Sequence, residues 1–185
     1  DFGAVFSWIR TIDKESEFFE SEFSQLSQQE NRSSEEWLKA LFFGNLLFVP
    51  SEVFRRNILE TVGAYNPKLA QLSDLDHHVR TLKKYKIHVL PQELLRYRIR
   101  GDNLSTPSEE NLKRHAWELE KIYTNYEDLD LDFFGKDINL SKKEKFWLYC
   151  LSVDFKPAQR YALDAIYASD SKFCHKLLRE YSGKL

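Results

Sequence analysis

The feature that most constrains this chain is a change of character near Thr106. Before it, apolar runs of strand length alternate with short stretches of helical periodicity. After it, only helical periodicity remains. The spacing predicts a mixed α/β part over residues 1–105 and an all-helical tail over 106–185.

In the first part, Gly3 to Ile12 is rich in Val, Phe, Trp and Ile and reads as a buried strand. Lys14 to Arg32 is polar and predicts a loop with one surface helix. Ser33-Ser34-Glu35-Glu36 fits a capping box that opens a short helix ended by Gly44. Leu46 to Val49 predicts a second buried strand stopped by Pro50. Ser51 is expected to cap a helix with Val53, Phe54, Ile58, Leu59 and Val62 on its apolar face, and Gly63 to end it. Asp74 to Tyr85 predicts a helix with acidic residues at its start and Lys83-Lys84 at its end, as the helix dipole favours. Ile87 to Leu90 and Leu94 to Ile99 read as strands separated by Pro91. Beyond them, Thr106-Pro107-Ser108-Glu109 and Ser141 to Glu144 fit capping boxes, with further helices expected near Ala158 to Tyr167 and Lys172 to Tyr181.

Composition narrows the function. Lys and Arg total 27 against 29 Asp and Glu, so the charges nearly cancel and no clustered basic face points to nucleic acid. The apolar runs are too short to span a membrane. The two cysteines, Cys150 and Cys174, sit among apolar residues at helical spacing and read as buried thiols in a reducing, cytoplasmic compartment. The chain has no Met and starts in a strand-like run, as expected for an excised piece of a longer protein. No Gly-rich phosphate loop, zinc spacing or Ser-His-Asp signature occurs.

Several segments, taken in order, carry a resemblance. Phe43-Gly44-Asn45 leads through an apolar run to Pro50-Ser51, then to Val53-Phe54-Arg55-Arg56 and Val62-Gly63-Ala64-Tyr65-Asn66. Ser73-Asp74-Leu75-Asp76 follows, then Ile87 to Pro91, Leu94-Leu95-Arg96-Tyr97-Arg98 and Asn103-Leu104-Ser105. Over residues 3 to 105 this resembles the second, acceptor-side half of family 2 glycosyltransferases. The resemblance implies a partial GT-A-like mixed sheet flanked by helices. It also implies transfer of a sugar from a nucleoside diphosphate sugar to an acceptor hydroxyl, with inversion, in polysaccharide or glycan biosynthesis.

In that family the Asp of a Glu-Asp pair ahead of a helix is the catalytic base. Its counterpart is Asp74, with Ser73 in place of the Glu. Such a displacement needs one general base within hydrogen-bond reach of the attacking hydroxyl. From residue preference alone, an Asp at a helix start is a cap, and Asp76 is a first-turn acid complementing the dipole. Asn45, Asp76, His77, His78, Arg98, Arg100 and Asn103 are the candidate acceptor- or phosphate-binding residues. His77 and His78 point about 100° apart on a helix and cannot easily share a metal. One is expected to line the acceptor cleft and the other to pack or be solvated. Arg96, Arg98 and Arg100 would share one strand face. Arg100 stands where the family often has His, and can hold a phosphate by paired hydrogen bonds. The alternative for these arginines is a solvated basic edge.

The family's sugar-nucleotide half and its metal-binding Asp-x-Asp motif are expected in a preceding part of a longer protein. A divalent Mg or Mn ion is thus expected for the full-length enzyme and none for this fragment, which alone would be inactive. Asp128-Leu129-Asp130-Leu131-Asp132 resembles the motif but reads as an acidic, solvated linker. The expected partners are the nucleotide-sugar donor and a glycan or lipid-linked acceptor, in the cytoplasm or at the inner face of the membrane. Self-association of the fragment through Phe2, Phe6 and Trp8 is also expected. The rival reading is a non-catalytic helical interaction domain of a larger protein.

Overall fold

The computed structural model describes residues 2–100, 108–136, 140–169 and 179. The chain divides into two compact units, Asp1–His115 and Ala116–Leu185. The boundary falls ten residues later than the change in sequence character at Thr106, inside a helix.

The first unit is mixed α/β. Its three-stranded sheet has the order β2-β1-β3, with β1 (Phe2–Ile12) in the centre. β1 pairs antiparallel with the two-residue β2 (Val53–Phe54) and parallel with β3 (Lys86–Arg98). A parallel partner requires a crossover connection. Four helices lie between the strands: α1 (Glu22–Ser27), α2 (Ser34–Leu41), α3 (Asn57–Thr61) and α4 (Ser73–Leu82). The expected capping box of α2 is present: the Ser33 hydroxyl accepts from the Glu36 N–H, and Glu36 accepts from the Ser33 N–H.

Three expectations are corrected here. Leu46–Val49 is not a strand. Asn45 Oδ1 accepts from the Leu47 N–H at 3.0 Å, and the Phe48 carbonyl accepts from the Ser51 hydroxyl at 2.8 Å and its N–H at 2.9 Å. These local bonds turn the backbone into a 3-10 segment at Val49–Ser51 and override the β preference of the apolar run. Ser51 therefore caps no helix. Its hydroxyl instead accepts from the Ser7 N–H of β1 at 3.3 Å, and Val53–Phe54, expected to be helical, extend as β2. Nor does Pro91 divide two strands. β3 is continuous, and Pro91, Gln92 and Leu94 have no partner opposite them because the register shifts around Trp8. A bulge is where a sheet accommodates a proline without losing a ladder hydrogen bond.

The outer edge of β3 is partly closed by Asn31, whose amide donates to the Val89 carbonyl at 2.9 Å and whose carbonyl accepts the Val89 N–H at 2.8 Å. The aromatic face expected to drive self-association is mostly internal. Phe6 is buried, and Trp8 is half-buried and donates its indole N–H to the Gln29 carbonyl; only Phe2 is exposed. The core gathers Phe6 and Ile9 of β1, Trp37 and Leu41 of α2, and Leu75 and Val79 of α4.

The second unit holds the end of α5 (Glu109–Ile122), α6 (Lys142–Ser152) and α7 (Lys156–Tyr167), and no strand occurs among its described residues. α5 starts later than expected. The Ser108 hydroxyl accepts from the Asn111 N–H at 3.1 Å and so takes the capping role assigned to Thr106, which lies outside the described residues. Tyr123, Tyr126 and Phe146 build an aromatic core, beside which the buried thiol of Cys150 is held well above its usual range by burial. Cys174 and most of the helix expected at Lys172–Tyr181 lie outside the described residues. Asp128, Asp130 and Asp132 are exposed in the connector ahead of α6, and Lys145 and Lys136 pair with Asp130 and Asp132. Among the described residues no helix is long and apolar enough to cross a membrane.

Gly3 packs where no side chain fits. A Cβ there would lie 2.7 Å from Tyr85 Cβ and 2.9 Å from Ile58 Cδ1. Gly3→Ala is expected to lower stability by about 1–3 kcal/mol, the usual cost of overpacking, as measured by urea unfolding. An unchanged midpoint would refute this close approach of β1 to α3 and Tyr85.

Candidate functional site

Within the first unit, a cleft of about 750 Å³ opens beside the start of α4. Its volume is typical of small-molecule sites. Asp74 and Asn45 line it, with Gln71, Asn111 and His115 as further polar members. Phe23, Phe48 and Tyr97 form an aromatic wall, their ring centroids 6.0–6.2 Å apart. Tyr97 lies opposite Thr11 near the carboxyl ends of the parallel pair β1–β3, where open α/β sheets bind ligands.

Asp74 does not cap α4. The helix begins at Ser73, and Leu72 occupies the cap position without a side-chain bond. Asp74 is thus a first-turn residue, half-buried, and its Oδ1 accepts from the Leu75 N–H at 2.7 Å. Burial pushes its carboxyl above the usual carboxylate value, since a desolvated charge is disfavoured. The electrostatic influence of His78, backbone N–H groups and hydrogen bonding from the Asn45 side chain oppose that rise.

His77 and His78 are both sealed in the interior, at 0% and 1% exposure, so neither lines the cleft and neither is solvated. The apolar face of α4 is wider than the sequence pattern implied and takes both rings inward. His77 packs between Tyr65, with centroids 4.5 Å apart, and Phe54, at 5.7 Å. Neither of its nitrogens has a hydrogen-bond partner among the described residues. Burial lowers its pKa below the ordinary 6.5. His78 packs against the edge of Phe6 and places Nε2 3.5 Å from Glu52 Oε2. That oxygen also accepts the Tyr65 hydroxyl at 2.8 Å. For Glu52 itself, burial works upward, but His78 and Tyr65 outweigh it and the net shift is downward.

Asp76 is likewise buried. Its Oδ2 takes the Arg80 Nε at 2.9 Å and Nη2 at 2.8 Å, and Arg80 donates onward to the Val62 and Ala64 carbonyls. Asp76 therefore holds an arginine that pins the turn at Gly63, whose φ of +91° suits glycine. Arg98 is similarly engaged: it donates to the Asp13 and Lys14 carbonyls and to Ser16 Oγ, bracing the turn after β1. Arg100 is exposed beyond the end of β3, and Asn103 lies outside the described residues. Of the described residues singled out from the sequence, the cleft brings together only Asp74 and Asn45.

Glu52 escaped the sequence reading because a lone Glu after Pro50-Ser51 gives no sign of burial. The aromatic wall was also not apparent, since Phe23, Phe48 and Tyr97 are far apart in the chain and look like ordinary core residues. Among the described residues no three His, Cys, Asp or Glu side chains are placed to hold a metal ion. In comparisons with known proteins, no family model, no curated protein and no solved structure matches the chain.

Two measurements check this geometry. Asp76→Asn removes the charge that organises Arg80 and is expected to cost about 1.5–3 kcal/mol, the range for hydrogen bonds to charged groups; a melting temperature equal to wild type would refute the anchoring role. The second concerns pH. The unfolded chain protonates His77 near 6.5, whereas the folded chain resists protonation. Stability must therefore fall as pH drops below that value, and the depressed Glu52 adds to the loss at lower pH. His77→Phe, fitted to its aromatic surroundings, should flatten the decline between pH 6.5 and about 5 in urea unfolding series. An unaltered pH profile would show that His77 does not carry it.

Proposed function

We propose that the first unit is the acceptor side of a glycosyltransferase site, with Asp74 as the general base. In this reading the reaction moves a sugar from a nucleoside diphosphate donor to an acceptor hydroxyl with inversion, in the assembly of a polysaccharide or related glycan. The observation that carries it is the environment of Asp74: a half-buried carboxyl on the wall of the cleft, beside the Asn45 amide and an aromatic surface. The ordered resemblance over residues 3 to 105 assigns the same residue.

The chemistry follows from these groups. A hydroxyl entering the cleft can donate to the Asp74 carboxylate while its oxygen attacks the anomeric carbon. A carboxyl whose proton affinity is raised by burial takes that proton more readily than one in water. The aromatic wall offers flat apolar surface to a sugar ring and excludes water from the attacking oxygen. The cleft's described lining contains no Lys or Arg, so the donor's diphosphate has its counter-charges elsewhere. One carboxylate and the His115 imidazole among amides and apolar side chains offer too few ligands to fit a divalent cation either.

Asp74→Asn keeps the shape of the side chain and removes its basicity. In the protein as encoded, turnover on nucleotide-sugar donors should fall about 10²-fold or more. Because the wild-type carboxylate is disfavoured by burial, the melting temperature should hold or rise slightly. Near wild-type turnover in Asp74→Asn would overturn the assignment.

A further inference from the structure

At the other end of the sheet from the cleft lies a smaller cavity, of about 360 Å³. It sits at the amino ends of the parallel pair, where Phe2 stands opposite Lys86. Tyr97 of the cleft stands opposite Thr11, near the carboxyl ends, and the two cavities share no lining residue. Arg32, Lys86, His88 and Ser34 line the smaller one, with the exposed Phe2 ring beside them. None of its described lining residues is Asp or Glu.

Two segments build this cavity. On β3, Lys86 and His88 are two residues apart, so both side chains project to one face, away from the buried Ile87 between them. The paired hydrogen bonds of Asn31 with Val89 fasten the segment ahead of α2 to the edge of β3, which brings Arg32, next in the chain, beside them. The Arg32 guanidinium lies over the buried Trp37 ring, 4.7 Å from its centroid, so one side of the group is packed while its N–H donors remain for another partner. Those donors have no hydrogen-bond partner among the described residues, and Nη1 is shielded from solvent as well. Glu36, whose carboxylate feels the Arg32 charge, is held instead by the Ser33 N–H and hydroxyl, each at 2.8 Å. The side chains of Lys86 and His88 likewise make no ion pair or hydrogen bond among the described residues. Two cations and an imidazole thus converge on one cavity whose lining offers them no counter-charge.

We propose that this cavity binds a phosphoryl group. A phosphate monoester carries close to two negative charges and three acceptor oxygens. Arg32 can hold two of the oxygens by parallel hydrogen bonds, Lys86 supplies the second positive charge, and the His88 imidazole and Ser34 hydroxyl can donate to the third oxygen. A carboxylate, with one charge and two oxygens, would leave several of these donors idle. The Phe2 ring meets the His88 ring edge-on at 5.4 Å and offers a flat apolar surface to the group that bears the phosphate, as a nucleobase would use. The site is independent of the Asp74 reading. It also lies at the wrong end of the strands to supply the counter-charges for the diphosphate of that reaction.

The test is a proton–nitrogen NMR titration of the encoded protein at fixed ionic strength with inorganic phosphate, adenosine monophosphate and acetate. Phosphate and adenosine monophosphate should give saturable shifts at the Arg32 side chain and at the Ser34 and His88 amides, with acetate at least about tenfold weaker. Tighter binding of adenosine monophosphate, with added shifts at Phe2, identifies a nucleotide; equal binding identifies the phosphoryl group alone. Arg32→Gln should weaken both phosphate probes about tenfold or more. Lys86→Glu, a charge reversal at an exposed position, should also weaken them about tenfold. Lys121→Gln in the second unit should bind as wild type. Absent or unsaturable shifts, acetate equal to phosphate, or an affinity that survives Lys86→Glu would each overturn the proposal. Should Arg32→Gln fail to fold, Lys86→Glu decides by itself.

Discussion

The first unit depends on the parallel pairing of β1 with β3. Two parallel strands cannot be joined by a tight turn, so the chain between them must cross the sheet. The crossing segment ends in α4, whose residues Leu75, Val79 and Leu82 are buried. The start of α4 and the carboxyl end of β3 then meet at one cleft, which is how Asp74 and Tyr97, far apart in the chain, come to line the same space. The bulge around Pro91 matters for the same reason. Three unpartnered residues on β3 are absorbed without ending the strand, so the pairing continues to Ile12 and Arg98. Arg98 then braces the turn beyond β1.

Polar groups in the interior divide into two kinds. Asp76 with Arg80, and Asn31 with Val89, are saturated by short, well-placed bonds and act as fasteners of loops and edges. The Glu52, His77 and His78 group is not saturated. Buried polar atoms without partners are few in native proteins and call for an explanation other than cohesion. The two imidazoles pack against aromatic rings instead, His77 against Tyr65 and Phe54 and His78 against Phe6, and Arg32 Nη1, Trp37 Nε1 and Thr81 Oγ1 are likewise buried without a partner among the described residues.

The second unit follows simpler rules. Ser141 and Glu144 close both bonds of their capping box, and Pro157 falls in the first turn of α7, where a missing N–H costs nothing. Its core is a set of aromatic rings, with Glu127 accepting hydrogen bonds from Trp147 and Tyr161 and pairing with Lys143. Periodicity and capping describe this unit well because its described elements are helices, whose signals are local.

By itself the sequence determined the local elements whose causes are short-range. The strand at Phe2–Ile12, the Ser33 and Ser141 caps, the left-handed Gly63 and the helical character after Ser108 all follow from residue preference and spacing within one or two turns. It also singled out Asp74 and Asn45, which do share a cleft. Only the tertiary structure decided the rest. Whether Leu46–Val49 becomes a strand depended on competition between apolar β preference and the turn bonds of Asn45 and Ser51, which the pattern of hydrophobicity does not weigh. Pro91 could sit inside a strand only because its partner strand allowed a bulge. The fate of the polar residues of α4 was least legible: His77, His78 and Asp76 look solvent-ready in a list of side chains, yet all three are buried. Their partners, Tyr65 and Phe54, Glu52, and Arg80, come mainly from other segments, and burial of a polar group is set by whether folding brings it a partner or a neighbouring ring, a property of the assembled chain rather than of any window of it.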